Sequence, residues 1–198
     1  MSMKELKVHP VMNLPDEYEV FDFSEGYDPD QMAQFVKNGG WGVGGYSEKR
    51  QNMYLAPQYE NRRNIHMGID IWAKSGESVY SPLHGEVAYA ANHPQEGNYG
   101  GTIVLKHKVE GFTYFALYGH LSPKSISDLK QGQKVSAGEK VGELGDEIEN
   151  GNWPPHLHYQ ISIEDPGEAD MPGVVSDVEH EKALKLYPDP RILLGEIY

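Results

Sequence analysis

Strict alternation of polar and apolar residues over positions 156–163 is the feature that most limits what this chain can fold into. The even-numbered residues of this stretch are polar and the odd-numbered ones are apolar. A period of two is typical of a β-strand with one buried face, because successive side chains point to opposite sides of a strand. We therefore predict a half-buried strand whose polar face carries His156 and His158, about 6.6 Å apart along the chain.

Other segments predict further short strands joined by tight turns. Residues 86–90 form a short β-prone run, and residues 102–109 and 112–118 are separated only by Glu110-Gly111, which suits a hairpin. Glycines recur through residues 131–146 at intervals too short for helices. With 22 glycines and 13 prolines in 198 residues, the composition also favours strands and turns. We expect an all-β dominated fold.

Two segments predict short helices. Asp28-Pro29-Asp30 is a typical helix start and precedes residues 31–37. A second short helix is expected around residues 179–186, where Pro188 and Pro190 end it.

The first 60 residues are expected to form a mostly irregular N-terminal extension, and residues 61–198 the main domain. The length of 198 residues suits one domain of this kind. The glycine-rich stretch 39–45 resembles a phosphate-binding loop, but no Lys-Ser/Thr follows it and no strand is predicted before it. We interpret it as a flexible linker into the main domain.

Composition excludes several functional classes. Seventeen basic against 30 acidic residues give a net charge of −13, which disfavours nucleic acid as a partner. The sequence contains no apolar run of the ~18 residues that a membrane span needs, and its N-terminus lacks the apolar core of a signal peptide. We therefore expect a cytoplasmic protein, with export to the cell envelope as the alternative. Cysteine is absent, so a metal site has to use His, Asp or Glu.

The segment around His66 predicts a bent strand. His66 and Asp70 alternate with apolar residues and share one face, yet four residues of regular strand would hold their Cα atoms about 13 Å apart. That is too far for both side chains to reach one ion. Gly68 lies between them and permits a kink or bulge, whereas this glycine and the isoleucines that flank Asp70 disfavour a helix.

Three short motifs in this order make the chain resemble the lysostaphin-type zinc endopeptidases. They are His66-Met67-Gly68-Ile69-Asp70, Tyr118-Gly119-His120-Leu121-Ser122 and His156-Leu157-His158. The sequence between the motifs is similar to sequences of that family as well, so the resemblance covers roughly residues 62–165. Order, spacing and linking strands agree together, which makes it specific.

The resemblance implies a fold, a metal site and a pair of catalytic residues. The fold is an antiparallel β-sheet sandwich of the duplicated hybrid motif type. The expected zinc ligands are His66, Asp70 and His158, and the expected catalytic residues are His120 and His156. The implied activity is that of a metalloendopeptidase, with a peptide-like or peptidoglycan-fragment substrate.

Two histidines and one aspartate suit a catalytic zinc site, because they leave a fourth position for water. Zinc-bound water ionises near pH 7 and can attack a carbonyl carbon. One catalytic histidine would relay the proton, and the other would stabilise the oxyanion or protonate the departing amine. The sequence leaves this division open, as it does the oligomeric state.

Two other functions compete with hydrolysis. One is a non-catalytic zinc-binding or regulatory module of the same fold, against which the intact five-residue set argues. The other is a phosphocarrier, whose related fold uses a histidine pair but has no need of Asp70.

Several other residues carry alternative interpretations. An asparagine of the N-terminal extension can cover the metal site, as in latent members of the family, and the nearby candidates are Asn52, Asn61 and Asn64. Three aromatic residues beside the motifs can line a substrate groove, although packing is their commoner use; they are Trp72, Tyr118 and Trp153. We expect His107 to orient a neighbour by hydrogen bonding, and we assign no function to His9, His84, His93 and His180.

Overall fold

The computed structural model describes residues 7–60 and 62–198, and Asn61 lies outside this description. The strands are β1 (Glu19–Phe21), β2 (Gly42–Gly44), β3 (Ile65–His66), β4 (Ile69–Trp72), β5 (Ser78–Tyr80), β6 (Gly85–His93), β7 (Gly100–Val109), β8 (Phe112–Leu121), β9 (Lys134–Val135), β10 (Lys140–Glu143), β11 (His156–Ser162) and β12 (Val174–Val175). The helices are α1 (Pro29–Lys37), α2 (Pro123–Ile126), α3 (Asp177–Leu186) and α4 (Arg191–Leu194), and a 3₁₀ turn spans Pro57–Tyr59.

Eight strands form the main sheet in the order β1-β2-β4-β11-β8-β7-β6-β9, and two two-stranded sheets pair β10 with β5 and β12 with β3. Every pair except β1 with β2 is antiparallel. The predicted all-β dominated, antiparallel fold is therefore confirmed. The hairpin is confirmed as well, since β7 and β8 pair up to Val109 and Phe112. Glu110 and Gly111 form its two-residue turn with φ of 48° and 91°, as a turn that matches the twist of paired strands requires.

The strand that carries the histidine pair lies in the middle of the main sheet. β11 pairs with β4 on one side and with β8 on the other. Its apolar face, Leu157, Tyr159 and Ile161, joins the main core. The prediction of a half-buried strand was wrong, because all seven residues of β11 are buried. The alternation is present, but residues distant in sequence cover the polar face, among them Tyr99 and Pro172.

Both predicted helices are present. Asp28 caps α1 by accepting hydrogen bonds from the backbone amides of Asp30 and Gln31, which satisfies donors that the first helical turn leaves free. α3 contains the predicted residues 179–186 and ends before Tyr187. The short helix α4 follows Pro190 and was not predicted.

The glycine-rich stretch is not a flexible linker, and that interpretation was wrong. Gly42–Gly44 is the buried strand β2, which pairs antiparallel with β4 and parallel with β1. Its glycines permit this position, because a Cβ at Gly42 would overlap the ring of Phe21 and a Cβ at Gly44 would lie 2.9 Å from Nη2 of Arg50. β1 and β2 thus belong to the main sheet, and a division of the chain after residue 60 stays a proposal. In the two described ranges no helix is long and apolar enough to cross a membrane.

Candidate active site

A bend between strands β3 and β4 brings His66 and Asp70 together. The two strands are separated by Met67 and Gly68, so the predicted bend at Gly68 is confirmed. Nε2 of His66 lies 3.2 Å from Oδ1 of Asp70. Gly68 also permits a close approach from β11, because a Cβ there would lie 2.6 Å from Cε1 of His158.

Strand pairing supplies the third residue. His158 lies directly opposite Asp70 in the antiparallel pair of β11 and β4. Its Nδ1 is 3.2 Å from Oδ1 of Asp70 and 3.0 Å from Nε2 of His66. The three residues are at most 3% exposed and offer three ligand atoms within 4.8 Å of one another. The structure therefore brings together the three predicted metal ligands.

The hydrogen bonds of the two imidazoles show that this cluster fits a cation. His66 donates Nδ1–H to the carbonyl oxygen of Gly45 at 2.8 Å, and His158 donates Nε2–H to Oε1 of Gln160 at 2.9 Å. Burial, followed by the charge of Arg50, lowers the pKa of His66 to about 4, so its ring is neutral at pH 7. Nε2 of His66 and Nδ1 of His158 are then the ring nitrogens that face each other and a carboxylate oxygen, an arrangement that suits a metal ion.

A buried arginine holds the other oxygen of Asp70. Nη1 of Arg50 donates to Oδ2 of Asp70 at 2.6 Å, and Nε of Arg50 donates to Glu48 at 2.6 Å. Burial alone would raise the pKa of Asp70, but the positive charge of Arg50 helps to hold it well below its usual range. No local pattern predicts this contact, because Glu48-Lys49-Arg50 resembles an ordinary charged surface turn.

The two predicted catalytic histidines lie next to the ligand cluster. The rings of His120 and His156 are 4.2 Å apart between centroids, and Nε2 of His156 is 3.9 Å from Oδ1 of Asp70. Each ring donates Nδ1–H to a main-chain carbonyl, His120 to Asn150 at 3.1 Å and His156 to Pro154 at 2.8 Å. Their Nε2 atoms are therefore free to accept protons.

Burial keeps both rings neutral, and hydrogen bonds hold the backbone of one of them in an uncommon conformation. Burial lowers the pKa of His156 to about 4 and that of His120 well below its usual range, so both are neutral bases at pH 7. His120 has a φ of 64°, which is uncommon for a residue other than glycine. Its amide donates to Tyr99 and its carbonyl accepts from Gly145, and these contacts hold the strained conformation.

A cavity of about 430 Å³ opens onto all five residues, within the usual range for small-molecule sites. Trp153 lines the cavity, as one alternative predicted. Trp72 and Tyr118 are fully buried and serve packing, Trp72 by stacking on His156 at 4.1 Å. The walls also carry charged groups of both signs, namely Arg63, Glu168 and Asp170.

The asparagines considered as a cover lie elsewhere. Asn52 and Asn64 line a separate cavity, and Asn61 is outside the described residues. The residues of the first 60 that line the active-site cavity are instead Met53, Tyr54, Gln58 and Tyr59. His107 donates Nδ1–H to the carbonyl of His84 and stacks on Tyr114, away from this cavity.

Three comparisons connect the chain to known proteins. The profile of Peptidase family M23 matches residues 64–170. The chain is 38% identical over 99 residues to Peptidoglycan DD-endopeptidase ShyA of Vibrio cholerae, covering 50% of this chain and 20% of ShyA. It is 34% identical over 94 residues to Cell division protein DipM of Caulobacter vibrioides, covering 48% of this chain and 14% of DipM. The chain thus corresponds to a fifth or less of these two relatives' lengths.

Among solved structures, a zinc-containing peptidase from Vibrio cholerae is 31% identical and aligns over 50% of this chain and 27% of its own, with a TM-score of 0.40. The catalytic domain of lysostaphin from Staphylococcus simulans is 22% identical and aligns over 76% of this chain and 97% of its own, with a TM-score of 0.44. The profile match extends over more than half of the chain and contains all five site residues. The chain therefore belongs to peptidase family M23.

Proposed function

We propose that the protein is a zinc-dependent metalloendopeptidase in which His66, Asp70 and His158 hold the ion. The observation that carries this proposal is the meeting of two imidazole nitrogens and a carboxylate oxygen in a buried cluster. Three protein ligands leave the fourth position of a tetrahedral zinc site for water, as in catalytic sites. The motif resemblance supports the same three residues.

When bound, zinc supplies a Lewis acid and lowers the pKa of a bound water to about 7. The protein contributes a site of matching charge. Asp70 stays ionised because its pKa is well below the usual range, and the pKa of His66, lowered to about 4, keeps that ring neutral. A negatively charged, buried donor set of this kind favours a divalent cation over protons.

His120 and His156 carry the proton transfers in this proposal. Either Nε2 can accept a proton from the attacking water, because Nδ1–H of each ring is already bonded to a carbonyl. The protonated ring then donates Nε2–H to the developing oxyanion or to the amide nitrogen, whose bond to the carbonyl carbon breaks. Both rings are suited to either role.

The substrate we propose is a peptide of the peptidoglycan type. ShyA is named a peptidoglycan DD-endopeptidase, and the cavity walls offer Arg63 for a carboxylate and Glu168 with Asp170 for an ammonium group. A protein that acts in the cytoplasm would have soluble peptidoglycan fragments as its substrate. Export to the envelope is the alternative, which the name of the relative YgeR, an uncharacterized lipoprotein of Escherichia coli, supports.

Metal analysis combined with a peptidase assay tests the proposal. The purified chain should contain about one zinc per molecule and release fragments from defined peptidoglycan peptides, detected by mass spectrometry. His120→Ala and His156→Ala should each lose turnover, by at least the 10²-fold that general acid–base catalysis contributes, and keep the zinc. His9→Ala, at a histidine whose Nδ1 bonds the adjacent carbonyl of Pro10 and which does not line the active-site cavity, is the matched control.

The outcomes separate the competing functions. Bound zinc without turnover on any defined peptide would favour the non-catalytic module. Absence of tightly bound zinc in wild-type protein would refute the metallopeptidase.

A further inference from the structure

We infer that Arg50 is a positioning residue of the metal centre, which holds Asp70 so that a single carboxylate oxygen faces the two histidine nitrogens. The inference rests on the proposed metal site. It gives a function to a segment that precedes the three motifs and lies outside the part of the chain matched by the family profile.

The carboxylate of Asp70 is divided between two partners. Oδ2 accepts from Nη1 of Arg50 at 2.6 Å, whereas Oδ1 lies 3.2 Å from Nε2 of His66 and 3.2 Å from Nδ1 of His158. The side chain of Arg50 is fully buried. A guanidinium is planar and carries its donors in fixed directions. Arg50 therefore restrains the rotation of the carboxylate and also stabilises its negative charge.

Arg50 is itself fixed by several contacts. Its Nε donates to Glu48 at 2.6 Å and its Nη1 to the hydroxyl of Tyr54 at 2.9 Å. Its Nη2 approaches the carbonyl oxygen of Gly45 at 3.4 Å, the same oxygen that accepts Nδ1–H of His66. One short loop therefore orients two of the three proposed ligands.

The charges of this group also suit a cation. Glu48 and Asp70 are acidic and Arg50 is basic, so the three side chains carry a net charge of −1. Without Glu48, the positive charge of Arg50 would cancel the negative charge of Asp70, and the site would attract a divalent cation less strongly. Glu48 thus lets an arginine lie next to a metal ligand without removing the site's negative charge.

A chemical consequence follows for the number of ligand atoms. With Oδ2 engaged by Arg50, Asp70 would offer a metal ion Oδ1 alone, and three protein ligand atoms would leave room for water. Without Arg50, Oδ2 is free to turn toward the ion and to compete with water for the fourth position. Arg50 therefore affects both the affinity for the metal and its coordination number.

The experiment compares full-length wild-type protein with Arg50→Gln and Arg50→Lys. Arg62→Gln, at an exposed arginine, is the matched control. Circular dichroism and thermal unfolding of the metal-free proteins establish that each is folded. Zinc affinity is measured by competition with a chromophoric chelator, and the coordination number is read from the visible spectrum of the Co²⁺-loaded proteins, because four-coordinate Co²⁺ absorbs more strongly than higher-coordinate Co²⁺.

Folded Arg50→Gln should bind zinc about 10–100-fold more weakly, as is usual when a partner of a metal ligand is removed, and its Co²⁺ absorption should weaken. Arg50→Lys keeps the charge but not the fork of donors, so it should recover part of the affinity. If Arg50→Gln does not fold, Arg50→Lys decides by the same two measurements. Wild-type affinity and an unchanged Co²⁺ spectrum in the deciding variant would overturn the inference, whereas failure of the wild-type protein to bind zinc would refute the proposed function instead.

Discussion

Replacing Gly68 with alanine should displace His158 and weaken the metal site through a single added methyl group. Gly68 has an ordinary φ, so the backbone accepts alanine without strain. The obstacle is space, because the new Cβ would lie 2.6 Å from Cε1 and 2.7 Å from Nε2 of His158, and 2.9 Å from the carbonyl oxygen of Tyr159.

The size of the effect follows from which of these neighbours can move. The carbonyl of Tyr159 belongs to the central strand β11, which is paired on both sides, so the imidazole has to shift. Overpacking of this kind costs about 1–3 kcal/mol, and loss of the hydrogen bond from His158 to Gln160 adds about 1 kcal/mol. We expect the metal-free variant to be destabilised by about 2–4 kcal/mol.

Urea unfolding with and without zinc measures both effects. At a zinc concentration 100 times the dissociation constant, binding stabilises a folded protein by about 2.7 kcal/mol, and Gly68→Ala should lose most of this increment. Gly142→Ala is the control, since its Cβ would meet only the flexible end of Leu121 at 3.1 Å and more distant atoms. An undiminished zinc increment in Gly68→Ala would refute the claim that this glycine makes room for a metal ligand.

Three further predictions concern protonation, the N-terminal segment and the cavity wall. The pKa values of His66 and His156 are lowered to about 4 in the folded protein, so the unfolded chain binds more protons below pH 6.5. The metal-free protein should therefore lose stability as the pH falls from 6.5 to 4, by on the order of 3 kcal/mol per histidine. Urea titrations that show no such loss would contradict the assigned neutral rings. Removal of residues 1–50 takes away Arg50, β1 and β2, so zinc content measured by elemental analysis should fall, and full retention would show that this segment is dispensable for the centre. Trp153→Ala should raise KM several-fold at unchanged zinc content, and an unaltered KM would exclude Trp153 from substrate contact.

Local patterns predicted the parts of this fold that depend on local chemistry. The hairpin of β7 and β8 follows from two β-prone runs and the turn at Glu110 and Gly111. The bend between His66 and Asp70 follows from chain geometry, since a regular strand cannot bring i and i+4 together and the intervening glycine can bend. The motifs identified the five residues that the structure brings around one cavity, while their chemical roles remain proposals.

The parts that sequence reasoning missed depend on contacts between distant segments. Gly42–Gly44 carries almost no side-chain pattern, and its identity as a strand comes from pairing with β4 and packing against Phe21. Arg50 lies 20 residues from Asp70 in sequence, and nothing near either residue indicates their contact. The covering of the polar face of β11 likewise requires residues far along the chain.

The hydrogen bonds that select the histidine tautomers have a consequence for design. Three of the four acceptors are main-chain carbonyls, of Gly45, Asn150 and Pro154, and only Gln160 contributes a side chain. Grafting the five site residues onto another scaffold would therefore transfer the ring nitrogens without the backbone that fixes which of them carries hydrogen. A successful transplant would have to reproduce the path of two loops, one that contains Gly45 and one that contains both Asn150 and Pro154.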